Sequence, residues 1–210
     1  MQNSQTLITN NLKMQCVERL NEELEKFRKE PLGGISLWST KNIHYLKASI
    51  EGPESTAYEK GLFFIDILIP ENYPFEPPNM CVLTPIYHPN VDSCGRVCIK
   101  LLNKDSWTPE YDISTMLSHF QYLLSCPQFN DLVMQRTSFR FVAEEFLKNR
   151  TLFLNKAQKY TMEYATPLKN VTIFNTVIKM DRPVQMQFKH IAEDFDIPNT
   201  KRMKVSRLLS

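Results

Sequence analysis

Hydrophobic side chains recur at every third or fourth position near the start of the chain, with charged residues between them. This spacing is typical of an amphipathic helix whose apolar side faces a core. The pattern runs over residues 12–30 and stops at Pro31 and the pair Gly33-Gly34, so we predict one helix there. Its apolar positions are Leu12, Cys16, Leu20, Leu24 and Phe27.

Four stretches rich in β-branched and aromatic residues follow, separated by turn residues. In the third, Phe63 and Ile65 alternate with Phe64 and Asp66, so we expect both faces of that strand to be partly covered. Short connections between successive strands favour an antiparallel meander. The predicted strands cover residues 35–38, 43–50, 62–69 and 80–83.

The middle of the chain lacks regular periodicity. Residues 70–79 contain four prolines, which remove amide donors and fix φ. Residues 84–112 also show no period, but apolar side chains recur among them. We therefore expect an ordered, irregular layer that packs on the core and holds the functional site.

Three helices are predicted after this layer, and together with the sheet they indicate an α+β fold. Helical spacing covers residues 113–125, for which Asp112 is the expected N-cap, and then residues 138–149 and 152–164. Beyond Pro167 the apolar residues are scattered and allow one further small element. They are Val171, Ile173, Phe174, Val177 and Ile178.

The composition is that of an ordinary globular protein: 42% of the 210 residues are hydrophobic, 23% are charged, and the formal net charge is +2. These values exclude collagen-like and low-complexity chains and argue against a wholly disordered one. No apolar run approaches the ~18 residues of a membrane span, so we expect no membrane segment. The first eleven residues have no basic and no apolar region and do not predict a secretory signal.

Charge is distributed unevenly along the chain. Residues 1–165 carry 17 basic and 19 acidic side chains, whereas residues 166–210 carry 8 basic and 4 acidic ones. The basic end is compatible with a solvated tail, a localisation signal or a weak nucleic-acid contact. The rest of the chain has no basic stripe interleaved with aromatic residues, so nucleic-acid binding is not the expected main function.

Five cysteines, an odd number, favour reduced thiols in the cytosol or nucleus. Cys94 and Cys98 form a C-x3-C pair, but no second pair at zinc-ligand spacing follows, so we predict no metal site. The remaining cysteines are Cys16, Cys81 and Cys126.

Residues 84–98, with the sequence TPIYHPNVDSCGRVC, concentrate reactive side chains in the irregular layer. One hypothesis is a cysteine-protease pair, in which the His88 imidazole lies within hydrogen-bond reach of the Cys98 thiol. The alternative is a structural histidine, because His88 directly precedes Pro89 and is well placed to brace a turn.

Four motifs in order resemble the ubiquitin-conjugating enzymes: YPFEPP at 73–78, HPN at 88–90, Cys98 ten residues after the histidine, and Trp107-Thr108-Pro109. The predicted order of helix, four-stranded antiparallel meander, ordered active-site loop and C-terminal helices is also similar to that family's fold. The family resemblance therefore implies a fold and an activity together.

The resemblance covers residues 12–165, which we expect to form a ubiquitin-conjugating catalytic domain. Residues 1–11 are then an N-terminal extension, and residues 166–210 a C-terminal extension that is basic at its end. The segments YEKGLF, IPENYPFEPP and LTPIYHPNVDSCGRVC are most similar to the T-type subfamily of the Fanconi anaemia pathway. That similarity implies monoubiquitination of a nuclear substrate in DNA repair, with the chain in nucleus and cytoplasm.

The resemblance implies acyl transfer through a cysteine thioester, without a cofactor. Cys98 accepts the C-terminal carboxyl group of ubiquitin from an activating enzyme, and a lysine of a protein substrate then attacks the thioester. Asn90 stabilises the oxyanion, holds the loop, or does both, and His88 braces the loop. Asp131 matches the acid that orients or deprotonates the lysine, although a second acid of the family pattern is Asn130 here.

A RING-type ligase is also implied as a partner, bound through the first helix and two loops. The first helix carries Glu18 and Glu22 where many relatives are more basic, and Ser36 lies where some relatives bind a second ubiquitin. The residues that match the family's ligase contacts are Arg19, Phe75, Thr108 and Pro109.

Two residues near Cys98 depart from the family pattern. Lys100 stands where many relatives have an acid, and Cys94 is an additional thiol. Three other functions stay open from the sequence: conjugation of a ubiquitin-like protein, a catalytically weak or non-catalytic binding variant of the same fold, and the cysteine protease.

Overall fold

The computed structural model describes residues 2–129, 135 and 137–166, with side chains from residue 13 onwards. An antiparallel sheet with strand order β1-β2-β3-β4 packs against helices, which confirms the predicted α+β fold and the meander. The strands are β1 (Ile35–Ser39), β2 (Tyr45–Glu51), β3 (Leu62–Leu68) and β4 (Asn79–Val82). The described helices are α1 (Gln2–Lys29), a 3-10 turn (Lys100–Leu102), α2 (Ile113–Ser125), α3 (Thr137–Lys148) and α4 (Arg150–Tyr164).

Helix α1 is longer than predicted, since it begins at Gln2 and continues without a break through residue 12. The first eleven residues lack the apolar period of the rest of the helix, so no pattern predicted a helix there. Four of the five predicted apolar positions are buried, and the side chain of Leu12 lies outside the described ones. None of the described helices combines the length and apolar composition that a membrane span requires.

Strand register places alternate side chains on two faces of the sheet. β2 and β3 pair Ala48 with Ile65 on the inner face and Lys47 with Asp66 on the outer face. The inner face packs with α1 and α2 into the main core. On β3 the outer-face residues Phe64 and Asp66 are buried as well, which confirms that both faces are covered.

The predicted bounds of α2 agree with the structure, and its N-cap is Asp112. The Asp112 side chain accepts a hydrogen bond from the Thr115 amide at 2.7 Å and forms an ion pair with Lys26 Nζ at 3.0 Å. Burial opposes ionisation of this carboxyl, but the Thr115 and Lys26 hydrogen bonds hold the pKa of Asp112 below its usual range. Capping therefore fixes the start of α2, which lies at the centre of the inner core.

Asn149 separates the last two helices. Its side chain accepts a hydrogen bond from the Leu152 amide at 3.1 Å and so caps α4. After α4, the Ala165 carbonyl accepts a hydrogen bond from the Leu62 amide at 2.8 Å. The described chain thus ends against the first residue of β3.

Candidate active site

A tight turn carries Cys94 into solvent. Asp92 Oδ1 accepts hydrogen bonds from the amides of Cys94 and Arg96, each at 2.9 Å, and Asp92 Oδ2 pairs with the Arg96 guanidinium at 2.7 Å. Gly95 has φ of +75°, and a Cβ there would lie 2.1 Å from the Val82 carbonyl oxygen, so the turn requires glycine. Sequence reasoning missed Asp92, although an Asp three residues before a Gly is a turn signal.

His88 is fully buried and braces the loop onto α2. Its Nδ1 accepts a hydrogen bond from the Asn90 amide at 2.9 Å, so Nε2 carries the proton and donates to the Leu123 carbonyl at 2.8 Å. That carbonyl lies in the last turn of α2, where no intrahelical donor is available. Both ring nitrogens are therefore occupied, and the geometry contradicts the cysteine-protease pair of His88 with Cys98.

Burial lowers the pKa of His88 from 6.5 to about 4, so the folded protein holds this ring neutral. The unfolded chain protonates it below pH 6.5 while the folded protein does not, so this contribution is complete above pH 6.5 and declines as the pH falls toward 4. We expect the free energy of unfolding to fall by about 2 kcal/mol between pH 7 and pH 5. Urea unfolding at the two pH values measures this.

The control for this pH dependence is a second histidine. His119 is exposed on α2, so His119→Gln should keep the full pH dependence. His88→Gln should lose most of it, in addition to being less stable at pH 7. An equal slope in wild type and His88→Gln would assign the acid sensitivity to other groups.

Asn90 ties the Cys98 segment to the chain that follows α2. Its Nδ2 donates to the Cys98 carbonyl at 3.2 Å and to the Gln128 carbonyl at 2.8 Å, and its Oδ1 accepts from the Gln128 amide at 3.0 Å. The side chain is fully buried, and both amide hydrogens have acceptors. The sequence left two roles open for Asn90, oxyanion stabilisation and bracing of the loop. These hydrogen bonds are those of a bracing residue.

Cys98 lies at the edge of the core with an apolar wall beside it. Its amide donates to the Asn90 carbonyl at 2.8 Å, and the residue is 5% exposed. Phe139 and Ala143 of α3 pack with it in a small cluster, against which Phe129 lies. The thiol is thus held by the loop on one side and by α3 on the other.

The predicted acid, Asp131, and its neighbour Asn130 lie outside the described residues. Lys100, by contrast, is exposed at the start of the 3-10 turn, two residues after Cys98. The charge near Cys98 on that side is therefore a solvent-accessible ammonium group.

A pocket of about 400 Å³ lies between the 3-10 turn, the loop before α2 and α2 itself. The lining residues are Ile99, Lys100, Leu101, Ser106, Tyr111, His119 and Gln128. Two of them, Ile99 and Lys100, directly follow Cys98 in the chain.

The family model for ubiquitin-conjugating enzymes matches residues 19–161. The chain belongs to this family. It is 42% identical over 158 residues to ubiquitin-conjugating enzyme E2 T of Xenopus laevis, covering 73% of this chain and 80% of that protein. It is 42% identical to the Homo sapiens E2 T, covering 72% and 77% of the two chains. Ubiquitin-conjugating enzyme E2 13 of Saccharomyces cerevisiae is 38% identical, covering 70% and 94%.

This ubiquitin-conjugating enzyme brings the two predicted ligase loops together. Trp107 Nε1 donates to the Pro74 carbonyl at 2.7 Å, and this bond joins the loop of Phe75 to the loop of Thr108. Phe75 is 62% exposed, and Thr108 and Pro109 are exposed as well. The sequence placed these residues on separate loops, and the buried tryptophan joins them.

Arg19, the fourth predicted ligase contact, is held largely within the enzyme. Its Nε pairs with Glu23 Oε1 at 2.5 Å and its Nη2 donates to the Tyr111 carbonyl at 3.3 Å. The side chain is 31% exposed, so it offers a partner only part of its guanidinium. Arg19 is therefore less available than the sequence suggested.

Glu23 was not among the predicted site residues, but it joins three elements. It is 6% exposed and accepts hydrogen bonds from the Tyr73 hydroxyl at 2.6 Å and from the Ile113 amide at 2.8 Å, besides the Arg19 pair. The available signal was its position on the apolar side of α1, between Leu20 and Phe27. A glutamate at such a position is buried only when it has partners.

Proposed function

We propose that this enzyme accepts ubiquitin from an activating enzyme as a Cys98 thioester and passes it to a substrate lysine with a RING-type ligase. The observation that carries the proposal is Cys98 itself, held between Asn90 and α3 in a chain of the ubiquitin-conjugating family. A thiolate is a strong nucleophile and a good leaving group, so the same sulfur can take and release the acyl group.

The transfer step forms an amide bond and releases the Cys98 thiolate. The attacking amine must first be neutral, and with a reference pKa near 10.4 only ~1 in 2,500 lysines is neutral at pH 7. We assign the orientation and deprotonation of that lysine to Asp131, and stabilisation of the oxyanion to the region around Asn90. The pocket between the 3-10 turn and α2 would hold the C-terminal tail of ubiquitin, since Ile99 and Lys100, which directly follow Cys98, line it.

Incubation with activating enzyme, ATP and ubiquitin is expected to give a band about one ubiquitin heavier that reductant removes. Cys98→Ala should abolish this band. Cys94→Ala is the matched control, because that thiol is exposed only four residues away and should be dispensable. Non-reducing and reducing gels of the three proteins make the measurement.

The other outcomes of the charging assay separate the alternatives. A band with a ubiquitin-like protein but none with ubiquitin would assign the enzyme to that modifier. A charged Cys98→Ala variant would refute Cys98 as the nucleophile. No band with any modifier would favour a binding variant of the fold.

Phe75→Ala is expected to reduce ligase-stimulated discharge of the thioester to free lysine by about tenfold, because an exposed aromatic anchor is removed from the ligase surface. Discharge without a ligase should stay at the wild-type rate. Phe141→Ala, which removes a 44% exposed phenylalanine from α3, should not reduce the ligase effect. Equal losses with and without ligase would show that Phe75 does not act through the ligase.

We place this activity in DNA repair, as monoubiquitination of a nuclear protein by a chain present in nucleus and cytoplasm. Supporting this are the similarity to the E2 T proteins and the four basic side chains among the last ten residues. Fluorescence imaging of the full chain before and after alanine replaces those four residues tests the location. An unchanged nuclear fraction would remove their role as a localisation signal.

A further inference from the structure

The outer face of the sheet carries a second apolar cluster, separate from the main core. Phe64 of β3 and Leu83 after β4 are each 1% exposed, and the half-buried Trp38 and Leu62 pack against them. Within the described part of the chain, the apolar members of this cluster all come from the sheet and its immediate end. We call this set the outer-face cluster.

A buried polar triad lies on the same face. Lys47 Nζ donates to the Tyr45 hydroxyl at 2.9 Å and to Asp66 Oδ1 at 3.0 Å, and the Tyr45 hydroxyl donates to Asp66 Oδ2 at 2.5 Å. Lys47 and Tyr45 are 0% exposed and Asp66 is 6% exposed. A lysine is almost never fully buried unless it is paired and enclosed.

Burial on this face requires a covering layer. Side chains on an uncovered sheet face stand in solvent, whereas here a central lysine and tyrosine have no accessible surface. Helices α1 and α2 pack in the main core, on the opposite face. The structure holds a single chain, so the cover comes from another part of this polypeptide.

We propose that residues 167–180 of the C-terminal extension lie across the outer face of the sheet and cover the cluster and the triad. The described chain ends at the right place, because the Ala165 carbonyl is bonded to the amide of Leu62, a member of the outer-face cluster. Residue 167 thus begins within two residues of this face.

Length and composition of the extension also fit. The fourteen residues 167–180 reach roughly 46 Å when extended, whereas a seven-residue strand such as β3 is about 23 Å long. The segment 171–178 reads VTIFNTVI, with six β-branched residues and one phenylalanine among eight, and it has no charged residue. An uncharged, apolar segment suits this face of the sheet, because the cluster is apolar and the only charges of the triad, Lys47 and Asp66, pair with each other.

The consequence concerns access to the sheet. Ser36 is exposed on the outer side of β1, where the sequence resemblance suggested a second ubiquitin could bind. With the extension on this face, such a partner would have to displace it. This inference does not depend on the chemistry proposed for Cys98, so the two can fail separately.

A photo-cross-linking amino acid at Trp38 of the full-length chain tests the proposal. Irradiation at low micromolar concentration should give intramolecular cross-links from position 38 to peptides within residues 167–180, identified by mass spectrometry. The same probe at Phe75, in the 70–79 segment, should give none to those peptides. Cross-links between two chains, or none to the extension, would overturn the proposal.

Two matched variants sharpen the test. Phe174→Asp should lower the cross-link yield at least fivefold, because a carboxylate is placed against the apolar cluster. Asn175→Asp adds the same charge at the next, already polar position and should leave the yield within twofold of wild type. Circular dichroism verifies that both variants are folded. Equal yields in Phe174→Asp and wild type would refute docking through the apolar side chains.

Discussion

Replacing Asn90 with alanine is expected to slow discharge of the thioester to lysine by about 100-fold or more. The side chain holds the Cys98 carbonyl and both backbone groups of Gln128, so its removal frees the peptide beside the reacting sulfur. Single-turnover discharge of preformed thioester measures the effect.

The same variant separates the two roles of Asn90. Three buried polar groups lose their partners, so bracing alone predicts a loss of about 3 kcal/mol in the free energy of unfolding. Asn90→Asp keeps the acceptor for the Gln128 amide but sets a carboxylate against two carbonyl oxygens, and should also be impaired. Lower stability with an unchanged discharge rate would show that Asn90 only braces the loop.

Glu23→Ala is expected to lower the free energy of unfolding by about 3 kcal/mol. It leaves the Tyr73 hydroxyl and the Ile113 amide buried without an acceptor and removes the partner of Arg19. Because Arg19 is partly exposed, water compensates part of its loss. In a chain of this size the change corresponds to a fall of about 10 °C in melting temperature.

Two variants serve as controls for Glu23. Glu22→Ala alters the neighbouring, exposed glutamate and should change stability by less than about 0.5 kcal/mol. Glu23→Gln keeps an acceptor for Tyr73 but loses the charge beside Arg19, and should fall between the two. A Glu23→Ala protein as stable as Glu22→Ala would contradict the joining role. Thermal unfolding followed by circular dichroism compares all three.

Glu23 also links stability to the proposed ligase surface. Tyr73 directly precedes Pro74, to which Trp107 is bonded, and Ile113 begins α2. Loss of the Glu23 hydrogen bonds therefore affects the loop that carries Phe75. We accordingly regard α1 as a support for the ligase loops more than as a source of free contacts through Arg19.

The sequence by itself determined most of the elements and the family. Spacing of three and four predicted α2 with its Asp112 cap, and alternation predicted β3 with two covered faces, because both patterns are local. The motif around Cys98 identified the family, since its residues lie close together in the chain. The start of α1 was not predicted, because its first turns have no apolar residues at helical spacing.

Only the tertiary structure decided the partners of the polar groups. Glu23 meets a residue 90 positions away, and Asn90 meets one 38 positions away, so no local pattern records either contact. His88 is neutral because the fold buries its ring completely, and this burial outweighs the hydrogen bond to the Leu123 carbonyl, which favours the protonated ring. Local periodicity determines which side of an element is buried, whereas chain topology determines which hydrogen-bond partners a buried polar side chain has.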